Sequence, residues 1–384
     1  MPRSILGCMR RRTTAAVAAT TLLGAGAAAV AAGRWASDLA LSARRAPRPA
    51  GFWHARLTVH ATTADRITLS RTPQSLRPGV YGLAARSGHA VVGPVLDVPT
   101  APDTVVRRLE RISRGELIPG TPVDLTPQIH VGDPTALGIA HTSVSLTGER
   151  GTLPAWYVDG SRDTWIIALH GLGATREHPL NVLPFLHDQR FPVLIPSFRG
   201  DPGAPRPADR VTRLGAAEWH DADAALRYAV DRGARRVVLY GWSAGGAMAL
   251  RAAAHSPERT RLCGLVLDSP VLDPEATLRA LAAQRGVPRP LLPLAVRAAR
   301  GGFGLDPADR PPSFPHGARG ALPVLLLHGP DDTVAPWAAS RDLAARHAGN
   351  TVLHAVPDAE HAALWNADPA AYEERLGRFL TPLG

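Results

Sequence analysis

The run Val237-Val238-Leu239-Tyr240-Gly241-Trp242-Ser243-Ala244-Gly245-Gly246 constrains this chain more than any other segment. Four apolar residues in succession read as a strand buried on both faces, and the Ala-rich stretch from Ala244 to His255 reads as a helix. A serine held between them in a G-x-S-x-G frame sits on a sharp strand-to-helix turn. Gly241 and Gly245 let neighbouring backbone approach there, and the hydroxyl projects from the sheet edge. The helix amino terminus behind Ser243 sets N–H groups and a positive dipole end where a negative oxygen would develop. In a Gly- and Ala-rich chain the five-residue pattern alone arises by accident, and its place between strand and helix is what makes it specific.

The surrounding pattern agrees. From about residue 140, apolar strands alternate with amphipathic helices: Thr142 to Leu146, Leu153 to Val158, Trp165 to Leu169, Val193 to Pro196, Val237 to Tyr240, Leu265 to Leu267, Val324 to Leu327 and Thr351 to Leu353. The first two read as a hairpin, and helices are expected over 216–231, 244–255, 338–346 and 372–379. This predicts an α/β class with a mostly parallel central sheet covered by helices on both faces. Residues 51–135 read as a small β-rich appendage with one short helix over 104–112, reached through an Arg/Pro-rich linker. The stretch 271–319 is too long for an ordinary connection and is expected to form a helical cap over Ser243. Leu278, Leu281 and Ala282 share a helical face there, and Leu291, Leu292, Leu294 and Val296 offer more apolar surface.

With 45% hydrophobic and 20% charged residues in 384, disorder, collagen and coiled coil are excluded. All 43 basic residues are Arg, and against 33 acids they give a net charge of +10. They are spread along the chain with no zinc-finger, RNP or basic-zipper pattern, so they read as solvated surface and no nucleic acid partner is expected. Two cysteines, Cys8 and Cys263, make no disulfide framework, and Cys8 has too short a leader to be a lipidation site. Arg10-Arg11-Arg12 precede the uncharged stretch Thr13 to Ala32, which reads as an export segment, either a cleaved signal or a retained membrane anchor.

An acid and a base follow the serine in the order its chemistry needs. Asp332 lies just after the strand Leu325-Leu326-Leu327, and His361 lies in the loop after the next strand. His361 would take the Ser243 proton and return it to the leaving group, with Asp332 fixing its tautomer. Asp331 is a rival for the acid, and so is Asp268 at the end of the strand after the serine helix. Consecutive residues His220 to Asp223 point about 100° apart on a helix and make no metal site, and neither a Rossmann glycine fingerprint nor a P-loop is present.

On these residues the stretch from about Thr142 to Leu380 resembles the α/β-hydrolase family, in particular bacterial serine hydrolases related to serine aminopeptidases and prolyl-oligopeptidase-like esterases. The family's His-Gly-x-x-Asp-x-x-Val is matched by His328, Gly329 and Asp332, whereas Val334 stands two residues after the acid instead of three. The departure keeps Asp331 in play. The resemblance implies an oxyanion loop at His170-Gly171-Leu172-Gly173, with the backbone N–H groups of Leu172 and Ala244 holding the oxyanion and His170 in a structural role. It implies a serine hydrolase acting on an ester, thioester or amide of a small molecule or peptide, with no cofactor and no metal. A serine peptidase of the same fold and a non-catalytic binding protein are the alternatives. A haloalkane dehalogenase is excluded, because Ser243 stands where its carboxylate must be.

Overall fold

The computed structural model describes residues 28–42, 48–207, 211–303, 316–317 and 320–384. Of the export segment, positions 13–27 lie outside these, as do 304–315 and 318–319 of the expected cap. Alternating apolar residues build six antiparallel strands in the amino-terminal part: β1 (Leu57–Thr62), β2 (Arg66–Ser70), β3 (Tyr81–Ala84), β4 (Gly88–Val95), β5 (Thr104–Gly115) and β6 (Pro122–Thr126). They pair in the order β1-β2-β5-β4-β3-β6, and Leu57 opposite Val123 closes a barrel with no free edge. Val59, Ile67, Leu69, Leu83, Val92 and Val105 fill its interior.

The helix expected over 104–112 is instead the strand β5, paired with β2 on one side and β4 on the other. Val105, Leu109 and Ile112 have helical spacing, but β-branched Thr104, Val105 and Val106 suit a pleated sheet. The period-2 inward set is Val105, Arg107 and Leu109, and Arg107 is fully buried within it.

The carboxy-terminal part is an eight-stranded sheet of β7 (Thr142–Gly148), β8 (Gly151–Val158), β9 (Thr164–Leu169), β10 (Val193–Pro196), β11 (Arg236–Trp242), β12 (Leu262–Asp268), β15 (Val324–His328) and β16 (Thr351–Ala355). Between β12 and β15 the two-residue strands β13 (His316–Gly317) and β14 (Gly320–Ala321) pair only with each other. The sheet order is β16-β15-β12-β11-β9-β10-β8-β7. Five neighbouring pairs are parallel, while β8 runs against both β10 and β7. The sheet is therefore mixed, not parallel throughout, because β7 and β8 form the hairpin that a tight turn at Gly148 and Gly151 requires.

Helices are α1 (residues 28–41), α2 (Leu183–Asp188), α3 (Trp219–Asp231), α4 (Ala244–His255), α5 (Pro274–Gln284), α6 (Leu292–Phe303), α7 (Trp337–Arg346), α8 (Leu364–Ala367) and α9 (Pro369–Leu380). Strand alternation sends Val237 and Leu239 to the face covered by α3, α4 and α7. It sends Val238 and Tyr240 to the face covered by α2, α8 and α9. Both faces of the central strands are buried, which is why those strands read as unbroken apolar runs.

A third cluster joins α1 to the insertion. Ala36, Ala40 and Leu41 pack with Leu278, Leu281, Ala282, Ala295 and Ala299, and the Ser37 hydroxyl donates to the Ala295 carbonyl at 2.5 Å. No helix among the described residues is long and apolar enough to cross a membrane.

Candidate active site

Ser243 links β11 to α4 with φ 53° and ψ −116°, a left-handed conformation that a residue with a side chain adopts only under constraint. The constraint is close packing of backbone. A Cβ added to Gly241 would lie 2.3 Å from the Gly245 carbonyl oxygen, and one added to Gly245 would lie 2.1 Å from that of Leu169. Only glycine fits at either position, and together they hold the serine up from the sheet edge.

The Ser243 hydroxyl donates to His361 Nε2 at 2.7 Å, and His361 Nδ1–H donates to Asp332 Oδ2 at 2.8 Å. Asp332 is pinned in turn. Its Oδ1 accepts the Val334 and Ala335 N–H groups at 2.7 and 2.8 Å, and its Oδ2 also lies 3.0 Å from His328 Nε2. The valine that stood one position out of the family pattern thus supplies a backbone donor to the acid. His361 meets Asp332 and neither rival: Asp331 is exposed, and Asp268 accepts from the Tyr372 and Ser269 hydroxyls at 2.9 and 3.0 Å.

Electrostatics follow from burial and pairing. Burial alone would push the His361 imidazole down. Its charge and hydrogen bond with Asp332, together with the nearby Glu360 and Asp268 carboxylates, outweigh that and raise it above the usual 6.5. Burial would push Asp332 up, yet His361 and His328 hold it well below the usual carboxylate range. Asp268, fully buried with only hydroxyl donors, is raised to about 6 by desolvation.

Leu172 follows β9 in the loop predicted to receive the oxyanion, and Ala244 is the first residue of α4. A Cβ added to the neighbouring Gly171 would lie 3.7 Å from Ser243 Oγ, so this loop runs past the serine. His170 is engaged elsewhere: its Nε2 pairs with Asp201 Oδ2 at 2.7 Å and its ring stacks on Phe198. Leu172 and Ala244 line a cavity of about 640 Å³ whose other walls include Trp53, Phe198, Arg206 and Arg285. Of the described residues of the insertion, Arg285 alone borders this cavity, whereas Leu278 is buried in the cluster with α1 and Leu292 packs against it.

The segment that leads from the linker into the barrel contributes more than the sequence suggested. Ala50 N–H donates to the Leu172 carbonyl at 3.0 Å, and a Cβ on Gly51 would lie 3.1 Å from that of His361. Trp53 donates to the Arg48 carbonyl and carries the Arg285 guanidinium 3.8 Å above its ring. Sequence reasoning also gave no role to His328 as a second imidazole on the acid, or to Glu360 beside the base. His328 is visible in the His-Gly motif and Glu360 by adjacency.

Residues 164–288 match the family described as alpha/beta hydrolase fold, and residues 58–126 match a domain of unknown function (DUF8805). The chain is similar to the uncharacterized protein YfhR of Escherichia coli O157:H7, 25% identical over 249 residues that cover 62% of this chain and 80% of that one. It is also similar to the Pyrococcus furiosus esterase Pf2001 in two crystal forms. Each has a TM-score of 0.52, at 22% and 23% identity, covering 66% of this chain and 96% of the esterase. Strands β9 to β12 and the turn at Ser243 lie within the matched residues 164–288, and the chain has the α/β-hydrolase fold.

Proposed function

We propose that the protein is a serine hydrolase that cleaves a carboxylic ester, thioester or amide through an acyl-Ser243 intermediate. The observation that carries this reading is the unbroken relay from Ser243 Oγ to His361 Nε2 at 2.7 Å and from His361 Nδ1 to Asp332 at 2.8 Å. His361 takes the hydroxyl proton as Ser243 attacks the acyl carbon, and Asp332 stabilises the imidazolium. The Leu172 and Ala244 N–H groups receive the oxyanion, helped by the amino terminus of α4. His361 then protonates the leaving group, and water, activated by the same nitrogen, releases the acid. The cycle draws on side chains and backbone of this chain and water, with no cofactor.

A fluorophosphonate probe should label the wild-type protein at Ser243, and Ser243→Ala should abolish both the labelling and the burst of product from an activated ester. Labelling of Ser243→Ala at the wild-type rate would refute the assignment. A panel of acyl esters and peptide amides on the labelled enzyme then separates an esterase from a peptidase.

The basic cluster Arg10 to Arg12 before residues 13–32 supports an exported enzyme, with Ser243 outside the membrane. Residues 1–50 fused to a reporter that is active only after export should give signal. A silent reporter, with the fusion soluble in the cytoplasm, would rule export out.

A further inference from the structure

Glu360 precedes the histidine of the site and is buried, with both carboxylate oxygens engaged. Oε1 accepts the Thr333 hydroxyl at 2.7 Å and the His361 N–H at 3.1 Å, and Oε2 accepts from the guanidinium of Arg77. Thr333 follows the acid and Glu360 precedes the base, so one carboxylate ties the two loops of the relay together. Its third partner comes from the barrel. Side-chain exposures of Arg77 and Glu360 are 14% and 5%, so this pair is shielded from solvent and its geometry is held.

The segment that carries Arg77, between β2 and β3, is itself fixed from both sides. From inside the barrel, Arg107 donates to the carbonyls of Ser75, Arg77 and Gly79 at 3.1, 2.7 and 2.7 Å. On the other side, Val80 N–H donates to the Asn366 carbonyl at 2.8 Å, and Asn366 Nδ2 donates to the Val80 carbonyl at 2.7 Å. Asn366 lies in α8, just after the loop of His361. The Arg77 guanidinium also lies 5.2 Å from the Phe52 ring centroid.

We infer that Arg77, acting through Glu360, is a positioning residue for His361, so that the barrel sets the base of the neighbouring sheet domain against Ser243. This rests on the reading of His361 as the general base. It gives residues 58–126, matched only to a domain of unknown function, a task in the reaction.

The test uses the full chain carrying Arg77→Ala, Arg77→Lys or Glu360→Gln. The readouts are kcat and KM on an activated ester, the fluorophosphonate labelling rate, and NMR titration of the His361 imidazole in a Ser243→Ala background. A displacement of about 1 Å can cost about 10²-fold in rate, so Arg77→Ala should lose about tenfold or more in kcat with KM little changed. Arg77→Lys keeps a cation beside Oε2 and should recover part of the loss.

Glu360→Gln keeps an acceptor for Thr333 and the His361 N–H but removes a negative charge beside the imidazole. Around that ring Asp332, Asp268 and His178 are unchanged, so the His361 titration should move to lower pH. A wild-type kcat in Arg77→Ala, or an unshifted titration in Glu360→Gln, overturns the inference. If Arg77→Ala does not fold, Arg77→Lys and Glu360→Gln decide it. A wild-type protein that takes no label sinks the hydrolase reading instead, and the titration, which needs no turnover, still reports on Glu360.

Discussion

Asp332→Asn is expected to lower kcat on an activated ester by about 10⁴-fold while the protein remains folded. The size follows from how the carboxylate is held. Oδ1 accepts two backbone N–H groups, from Val334 and Ala335, so an asparagine placed here keeps its carbonyl oxygen on that side. Its NH₂ group then takes the place of Oδ2 and points at His361 Nδ1. A donor there favours the tautomer with Nδ1 as acceptor and the proton on Nε2. Nε2 can then no longer accept from Ser243. Binding should change little, since the substituted atom faces the imidazole and not the cavity, so the loss falls on kcat. Steady-state kinetics with a thermal melt on the same sample check this. A loss below about tenfold with the fold intact would remove Asp332 from the role that the relay gives it.

The second large effect is on stability. Arg107→Ala should destabilise the barrel by several kcal/mol, since each buried acceptor left without a donor costs about 1–3 kcal/mol. Arg107 is fully buried, and its guanidinium satisfies four backbone carbonyls, those of Gly93, Ser75, Arg77 and Gly79. The Tyr81 ring lies beneath the same cation. Burial lowers its pKa to about 10, still far enough above neutrality to keep it charged. Truncation would leave the four carbonyls without this donor and open a cavity in the barrel. Lysine cannot substitute, because three donors on one nitrogen do not reproduce the planar fork. Urea unfolding gives the number, and a change under about 1 kcal/mol would mean that the network is incidental.

Arg107 also explains where sequence reading failed. A charged residue in the inward phase of β5 breaks the alternation that marks a half-buried strand, and the leftover spacing of Val105, Leu109 and Ile112 imitates a helix. By contrast the sheet and the site were legible. The candidate nucleophile, acid and base, Ser243, Asp332 and His361, each follow a strand end, and each carries its signal within a few neighbouring residues. The brace on His361 had no such signal: Arg77 and Glu360 stand 283 residues apart, and each alone is an ordinary surface residue type. Between Asp331 and Asp332 the sequence had no means to choose: it takes the fold to set Asp332, held by the Val334 and Ala335 N–H groups, against His361 and to leave Asp331 exposed.

The packing of α1 bears on what such an enzyme could reach. Of the helical residues 28–41, those beyond Ala32 rise only about 14 Å at 1.5 Å each, and from Ala36 onward they are embedded against α5 and α6. In a chain held at a bilayer by residues 13–32, the catalytic body would thus be mounted on a short rigid post instead of a slack leash. Its cavity would stay at a set height above the lipid, sampling a thin layer of solution next to the membrane. Molecules confined to that layer would meet Ser243 far more often than the same molecules dissolved in bulk.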